Sequence, residues 1–187
     1  MSSNARLTPF SYVILALVGR NGAGPHDIVR MMREGAVFWT TSESHVYVEP
    51  KRLAKLGYLT AEKQPGRTHE RTHYKLTKKG REALVSWLAE PAPMPRVQNE
   101  AAAKLLGADF SDDATILASL GTLRAQLNDR YEDLEEMERR AQEIPYRTRY
   151  LRLLNELARR TLDTQREWLE HVEEELRKPS SRHDRAE

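Results

Sequence analysis

Thr40-Thr41-Ser42-Glu43-Ser44-His45-Val46-Tyr47-Val48-Glu49-Pro50-Lys51-Arg52-Leu53-Ala54-Lys55-Leu56-Gly57-Tyr58-Leu59 is the stretch on which the fold turns. Thr40 and Glu43 have capping-box spacing: the Thr40 hydroxyl accepts from the Glu43 amide while the Glu43 carboxylate reaches back. This predicts a helix from near Thr41 to Leu56, with Gly57 in the C-terminal capping position and Val46, Leu53 and Ala54 facing inward. Pro50 interrupts it. Proline has no amide hydrogen for the Val46 carbonyl, so the predicted helix carries a kink costing ~3 kcal/mol unless that carbonyl finds another partner.

Downstream of Gly57 the period changes from helical to alternating. Tyr58 and Leu59 enter a strand, Pro65-Gly66 turns the chain, and residues 73–77 return, which predicts a hairpin whose tip, residues 67–71, is basic. Thr77 then caps a helix over 78–89 that buries Ala83, Leu84, Trp87 and Leu88. Upstream, Thr8-Pro9 caps and opens a helix over 10–18 that stops at Gly19. Pro25 opens a second helix to about Glu34, with Ile28, Met31 and Met32 as its apolar stripe and Gly35 as its stop. Three helices, a hairpin and a further helix are the element order of a winged helix-turn-helix.

Pro91, Pro93 and Pro95 stand at alternate positions, which forbids helix and favours an extended spacer. The expected organisation is a winged domain over 1–90, a proline-rich linker over 91–96, a helical domain over 97–178 and a disordered tail over 179–187. A short segment, 97–106, precedes a long helix capped by Ser111 and running over 112–143. In it Ile116, Leu123, Met137 and Ile144 recur at sevens with Arg130 in the missing place, and Leu120, Leu127, Leu134 and Ala141 form a second row. Pro145 starts a last helix in which Leu151, Leu154, Leu157, Leu162, Trp168, Leu169, Val172 and Leu176 track one side. Each long helix spans roughly 45 Å. The expectation is a mainly α chain with a small β-hairpin, whose long antiparallel C-terminal helices form a dimerisation arm. Ile116, Leu120, Leu123, Leu127, Leu134, Leu154, Leu162, Trp168 and Leu169 are the expected interface with a second copy.

The chain has 187 residues and a net charge of +2, but its charge is uneven. Residues 1–91 hold 14 Lys and Arg against 8 Asp and Glu, whereas residues 92–187 hold 16 against 20. A basic first half calls for a polyanion partner, and an acidic second half stays away from one. Cysteine is absent, which removes disulfides, thiolate nucleophiles, zinc ribbons and iron–sulfur clusters and suits a reducing cytosol. The longest apolar run, 12–18, is too short to span a bilayer, and no leader precedes it, so a cytoplasmic protein without a membrane partner is expected. No phosphate loop, nucleophile elbow or metal-binding histidine pair on a helix is visible, so neither catalysis nor a cofactor is expected.

The outward face of the helix after Thr40 holds Thr41, Ser42, Ser44, Val48, Lys51 and Lys55, with His45, Tyr47 and Arg52 at its borders. Ser44 and His45 suit base edges, Val48 a thymine methyl, and Lys51 and Arg52 phosphates; the alternative is a merely solvated face. Arg67, Thr68, His69 and Arg71 at the hairpin tip suit a minor groove or the phosphate backbone, or a soluble turn. His69 and His73 have a four-residue spacing, but no third ligand accompanies them and no metal is expected. Trp87 either fills the core or lines a cavity for a flat ligand.

Tyr47 to Leu56 followed by Gly57-Tyr58-Leu59, then Tyr74-Lys75-Leu76-Thr77-Lys78-Lys79-Gly80-Arg81, and Glu100-Ala101-Ala102-Ala103-Lys104 after the linker, resemble the PadR family of bacterial transcriptional regulators. The resemblance covers about half the chain by motif; the long tail is similar to that of the larger-tailed subgroup. It implies a homodimer on double-stranded DNA at a near-palindromic operator, repressing transcription until a small aromatic or hydrophobic ligand releases it. The alternative is a winged-helix interaction or ligand-sensing module that binds no operator.

Overall fold

The computed structural model describes residues 6–65 and 70–178, and the chain divides into two compact units, Met1–Met94 and Pro95–Glu187. In the first unit, α1 (Pro9–Val18) opens with a complete capping box in which the Thr8 and Ser11 side chains each accept the other's amide. α2 (Pro25–Glu34) starts at a proline and runs into a 3-10 turn, Gly35–Val37. α3 (Glu43–Lys55) follows, then β1 (Leu59–Gln64) and β2 (Arg71–Leu76), paired antiparallel from Leu59 opposite Leu76 to Gln64 opposite Arg71. Thr77 caps α4 (Lys78–Leu88) by accepting from the Gly80 amide. The core lies where α1, α2, α3 and the hairpin converge, on Phe10, Ile14, Leu15, Ile28, Val46, Leu53, Leu59 and Tyr74.

Two glycines make this unit possible. Gly57 has φ +77° and ends α3, letting the Tyr58 amide reach back to the Leu53 carbonyl at 2.9 Å. At Gly22, also φ +77°, a Cβ would stand 2.3 Å from His73 Nε2 and 2.5 Å from the Tyr74 carbonyl. That close approach lets Ala23 exchange two backbone hydrogen bonds with Tyr74, at 2.9 and 3.0 Å, adding a one-residue third strand to the hairpin.

Several expectations are corrected here. The Thr40 capping box does not form: its hydroxyl donates to the Ala36 carbonyl at 3.4 Å, and α3 begins at Glu43 with Ser42 before it. Thr41 therefore precedes the helix. The preceding 3-10 turn supplies that carbonyl, a competing acceptor invisible to the capping pattern. β2 begins at Arg71, so Arg71 belongs to a paired strand and not to the turn. Leu88 is exposed and Ala83, Leu84 and Trp87 are half-buried, because within this unit α4 packs chiefly on α1 and β2.

The second unit holds α5 (Glu100–Leu106), a 3-10 turn (Ala108–Phe110), α6 (Asp113–Ala141) and α7 (Thr148–Arg177). α6 is capped by Asp112, not Ser111: the Asp112 carboxylate accepts from the Thr115 amide at 2.8 Å and hydroxyl at 3.0 Å. The amide bond is the main cause holding the Asp112 carboxyl below its ordinary pKa. α6 and α7 lie antiparallel, shown by cross-links whose positions run in opposite directions: Arg124 to Glu173, Tyr131 to Asp163, and Arg159 to Glu138.

This pairing overturns part of the expected dimer interface. Ile116, Leu120, Leu127 and Leu134 of α6, with Leu162 and Leu169 of α7, are buried within the single chain. A row at sevens asks for a partner helix, and the next helix of the same chain, a short turn away, supplies it. Leu123 and Trp168 are half-buried. Leu154 and Leu157 do not share the inward side of α7, which is formed by Asn155, Ala158, Leu162, Leu169, Val172 and Glu173; they face outward with Tyr150 and Leu153. Among the described residues no helix is long and apolar enough to cross a membrane.

Candidate nucleic-acid interface

α3 presents the expected face in part. Ser42, Ser44, Lys51 and Lys55 are exposed and Val48 is 57% exposed, so an adjoining surface would meet two hydroxyls, a branched methyl pair and two ammonium groups. Lys51 and Lys55 have no carboxylate partner among the described residues, which leaves both charges to attract an anion. Ser42 and Ser44 hydroxyls lie 3.1 Å apart. His45 is exposed at its edge, while its ring packs on Phe10 with centroids 4.5 Å apart and its Nδ1 lies 3.1 Å from the Thr41 hydroxyl. Phe10 is stacked in turn on Trp39. Tyr47 is half-buried, its hydroxyl 3.3 Å from His26 Nδ1 and its ring edge-on to that imidazole, so it joins α3 to the start of α2.

Arg52 departs from expectation. Its Nε donates to Glu49 Oε2 at 2.8 Å, and its Nη2 donates to Glu49 Oε1 at 2.7 Å and to Ser11 Oγ at 3.0 Å. A guanidinium spent on a carboxylate has little charge left for a phosphate, so Arg52 is removed from the candidate contacts. Glu49 is only 4% exposed and also accepts from the Ser11 hydroxyl at 2.7 Å. Burial alone raises its carboxyl pKa, but the hydrogen bonds from Arg52 and Ser11 outweigh it and hold the group below the ordinary glutamate value. Sequence reasoning missed Glu49 and Ser11. The one available signal was the three-residue spacing of Glu49 and Arg52, which puts acid and base on one helix side.

In the hairpin, Lys63 pairs with Glu70 and Lys75 with Glu62, both at 2.7 Å, while Arg71 is exposed opposite Gln64. Arg67, Thr68 and His69 lie outside the described residues. His73 Nε2 is 3.1 Å from the Asn21 carbonyl, so this nitrogen carries the proton and joins the loop before α2 to β2. Trp87 lies against Tyr12 of α1. In the second unit a cleft of about 360 Å³ is lined by Lys104, Leu123, Gln126, Gln165 and Trp168. Among the described residues no cluster of three metal-ligating side chains occurs.

Residues 14–86, from α1 through α4, match the model of the transcriptional regulator PadR-like family. Residues 97–177 match the C-terminal domain model of virulence activator alpha. The winged unit belongs to the PadR-like family of transcriptional regulators. Over 86 residues it is 31% identical to the negative transcriptional regulator PadR of Bacillus subtilis (strain 168), an alignment covering 45% of this chain and 47% of that protein. The matched region thus spans about half the length of this curated relative. The crystal structure of Bacillus subtilis PadR with operator DNA superimposes with a TM-score of 0.68 at 23% identity, covering 90% of this chain and 99% of that one. PadR with p-coumaric acid gives 0.61 at 22%, covering 91% and 98%. At these identities the PadR structures establish a shared fold: a winged head and a paired helical tail. The family is one of regulators, not enzymes.

Proposed function

We propose that this PadR-like chain is a cytoplasmic, homodimeric, sequence-specific DNA-binding repressor that a small aromatic ligand releases from its operator. The observation that carries the reading is the outward face of α3 on a winged unit, where Ser44, Val48, Lys51 and Lys55 are exposed and the two lysines have no carboxylate partner among the described residues. Two copies would insert their α3 helices into successive major grooves about 34 Å apart, with the hairpin tips on flanking phosphates. Ser42, Ser44, His45 and Val48 would read base edges; Lys51, Lys55, Arg67 and Arg71 would neutralise phosphates.

The related PadR was solved with both operator DNA and p-coumaric acid, which supports the pairing of DNA and a flat phenolic ligand. Trp87 beside Tyr12, and the cleft beside Trp168, are two places for such a ligand here. For the second copy, the stripe Tyr150, Leu153, Leu154 and Leu157 on α7 replaces the rows that α6 and α7 already use. The winged domain over 1–90, the linker over 91–96 and the helical domain over 97–178 remain the proposed division of labour.

The test is binding of the purified protein to fragments of its own upstream DNA across a salt series, with and without hydroxycinnamic acids. The proposal expects one fragment to outcompete random duplex and each phosphate contact to add about 0.9 to the slope of log affinity against log salt. Equal, weak binding to all fragments would instead favour a protein-interaction module.

A further inference from the structure

α3 runs unbroken from Glu43 to Lys55 although Pro50, fully buried, withholds the amide that the Val46 carbonyl would receive in an ordinary helix. The residues on either side of this gap are tied to the same atom of another helix. Glu49, before the proline, accepts from Ser11 Oγ; Arg52, after it, donates to Ser11 Oγ; and Arg52 grips Glu49 through two nitrogens. Ser11 is itself anchored, since its hydroxyl accepts from the Thr8 amide at 2.9 Å in the α1 capping box. The carboxylate is buried, the fork is bidentate, and among the described residues no buried side-chain nitrogen or oxygen lacks a partner.

We propose that Ser11, Glu49 and Arg52 form a brace that carries α3 across Pro50, making them positioning residues for DNA recognition. The brace supplies from outside the helix the restraint that the missing backbone hydrogen bond would have given from inside. It fixes the second half of α3, with Lys51 and Lys55, relative to the first half, with Ser44 and Val48. Arg52 thus sets the aim of its neighbours and touches no phosphate. The inference rests on α3 being the reading helix, as proposed above, but its mechanical part stands without DNA.

The experiment is native-state hydrogen exchange on the full chain without DNA, comparing Ser11→Ala in the natural and Pro50→Ala backgrounds. Ser11→Ala should speed exchange of the amides of residues 51–55 about tenfold in the natural background, leaving α7 unchanged. With Pro50→Ala the backbone bond returns and the same change should speed exchange less than about twofold, a coupling between Ser11 and Pro50. Arg52→Lys, which keeps the charge but loses the fork, provides the same comparison if Ser11→Ala does not fold. Equal acceleration in both backgrounds, or none in either, would overturn the brace. A DNA arm separates this from the functional reading: Arg52→Lys should lower preference for the specific fragment about tenfold with the salt slope of wild type, since each lost phosphate contact would lower it by about 0.9. Preference equal to wild type would show that the brace does not serve recognition. A chain that binds no DNA would sink the repressor proposal and leave the exchange result standing.

Discussion

The indole of Trp87 lies flat on the phenol ring of Tyr12, with ring centroids 4.9 Å apart and planes within 3° of parallel. This contact joins α4 to α1, and α1 carries Ser11, the anchor of α3. The aromatic pair therefore supports α3 at one remove. Trp87→Ala should cost the winged unit about 2 kcal/mol, with Trp87→Phe recovering most of it, measured by chemical denaturation. If Trp87 also lines the ligand site, hydroxycinnamic acids should quench its fluorescence; quenching abolished by Trp168→Phe but retained in Trp87→Phe would place the ligand in the second unit.

Lys51 and Arg52 are adjacent cations with opposite expected roles. Lys51→Ala should lower the salt slope of DNA binding by about 0.9 and weaken all sequences alike. Ser44→Ala or His45→Ala should instead lower discrimination between sites by about 1 kcal/mol while leaving the slope intact. Competition binding at several salt concentrations separates the two patterns, and a uniform loss in all three variants would mean that α3 does not read bases.

Acid should loosen the first unit through Glu49. Its carboxyl pKa is lowered in the folded chain, so its stabilising contribution is fully present above the unfolded value of about 4.3 and is lost as pH falls through the lower folded value. Denaturation measured from pH 5 downward should show a steep loss in the natural protein. Glu49→Gln should be less stable at pH 6 and have a shallower acid dependence; an unchanged slope would mean that the carboxyl titrates normally.

At the alkaline end Tyr131 should titrate late. Burial first, and its hydrogen bond to Asp163 second, push the phenol up to about 12. A group raised in the folded state stabilises below its unfolded pKa of about 10 and loses that contribution as pH climbs through the folded value. Ultraviolet titration of Tyr131→Phe should lack the latest-ionising phenol, and its stability should fall less between pH 10 and 12.

Lysine at Leu153 and Leu157 together should leave monomers in sedimentation with helix content intact, because both side chains are exposed within the chain. Lysine at Leu127, buried between α6 and α7, should instead melt the second unit, costing upwards of about 3 kcal/mol for an unpaired buried charge. Dimers surviving the first change would place the interface elsewhere.

The order of helices and strands was legible in the residues because its signals are local. Thr8-Pro9, Pro25 and Gly35, Gly57, and Thr77 each act on neighbours within one turn, and all mark the element ends observed. Where a local signal had a competitor, it failed: Thr40 found the Ala36 carbonyl, and Asp112 reached the Thr115 amide in place of Ser111. The outward face of α3 was legible from helical spacing, but the fate of Arg52 was not. Spacing alone cannot say whether a border residue turns to solvent or to an acid.

The two-part composition, the winged element order and the two long amphipathic helices can all be read along the chain, since caps, glycines and apolar period act over a few residues. Which charges stay inside and which rows find which partner depends on how the elements pack. Glu49 and Arg52 are claimed by Ser11, 38 residues before Glu49, and the leucine rows of α6 are filled by α7 of the same chain. The physical reason is that a salt bridge or a leucine seam has the same local pattern whichever surface completes it; only the packed chain brings one of those surfaces within reach.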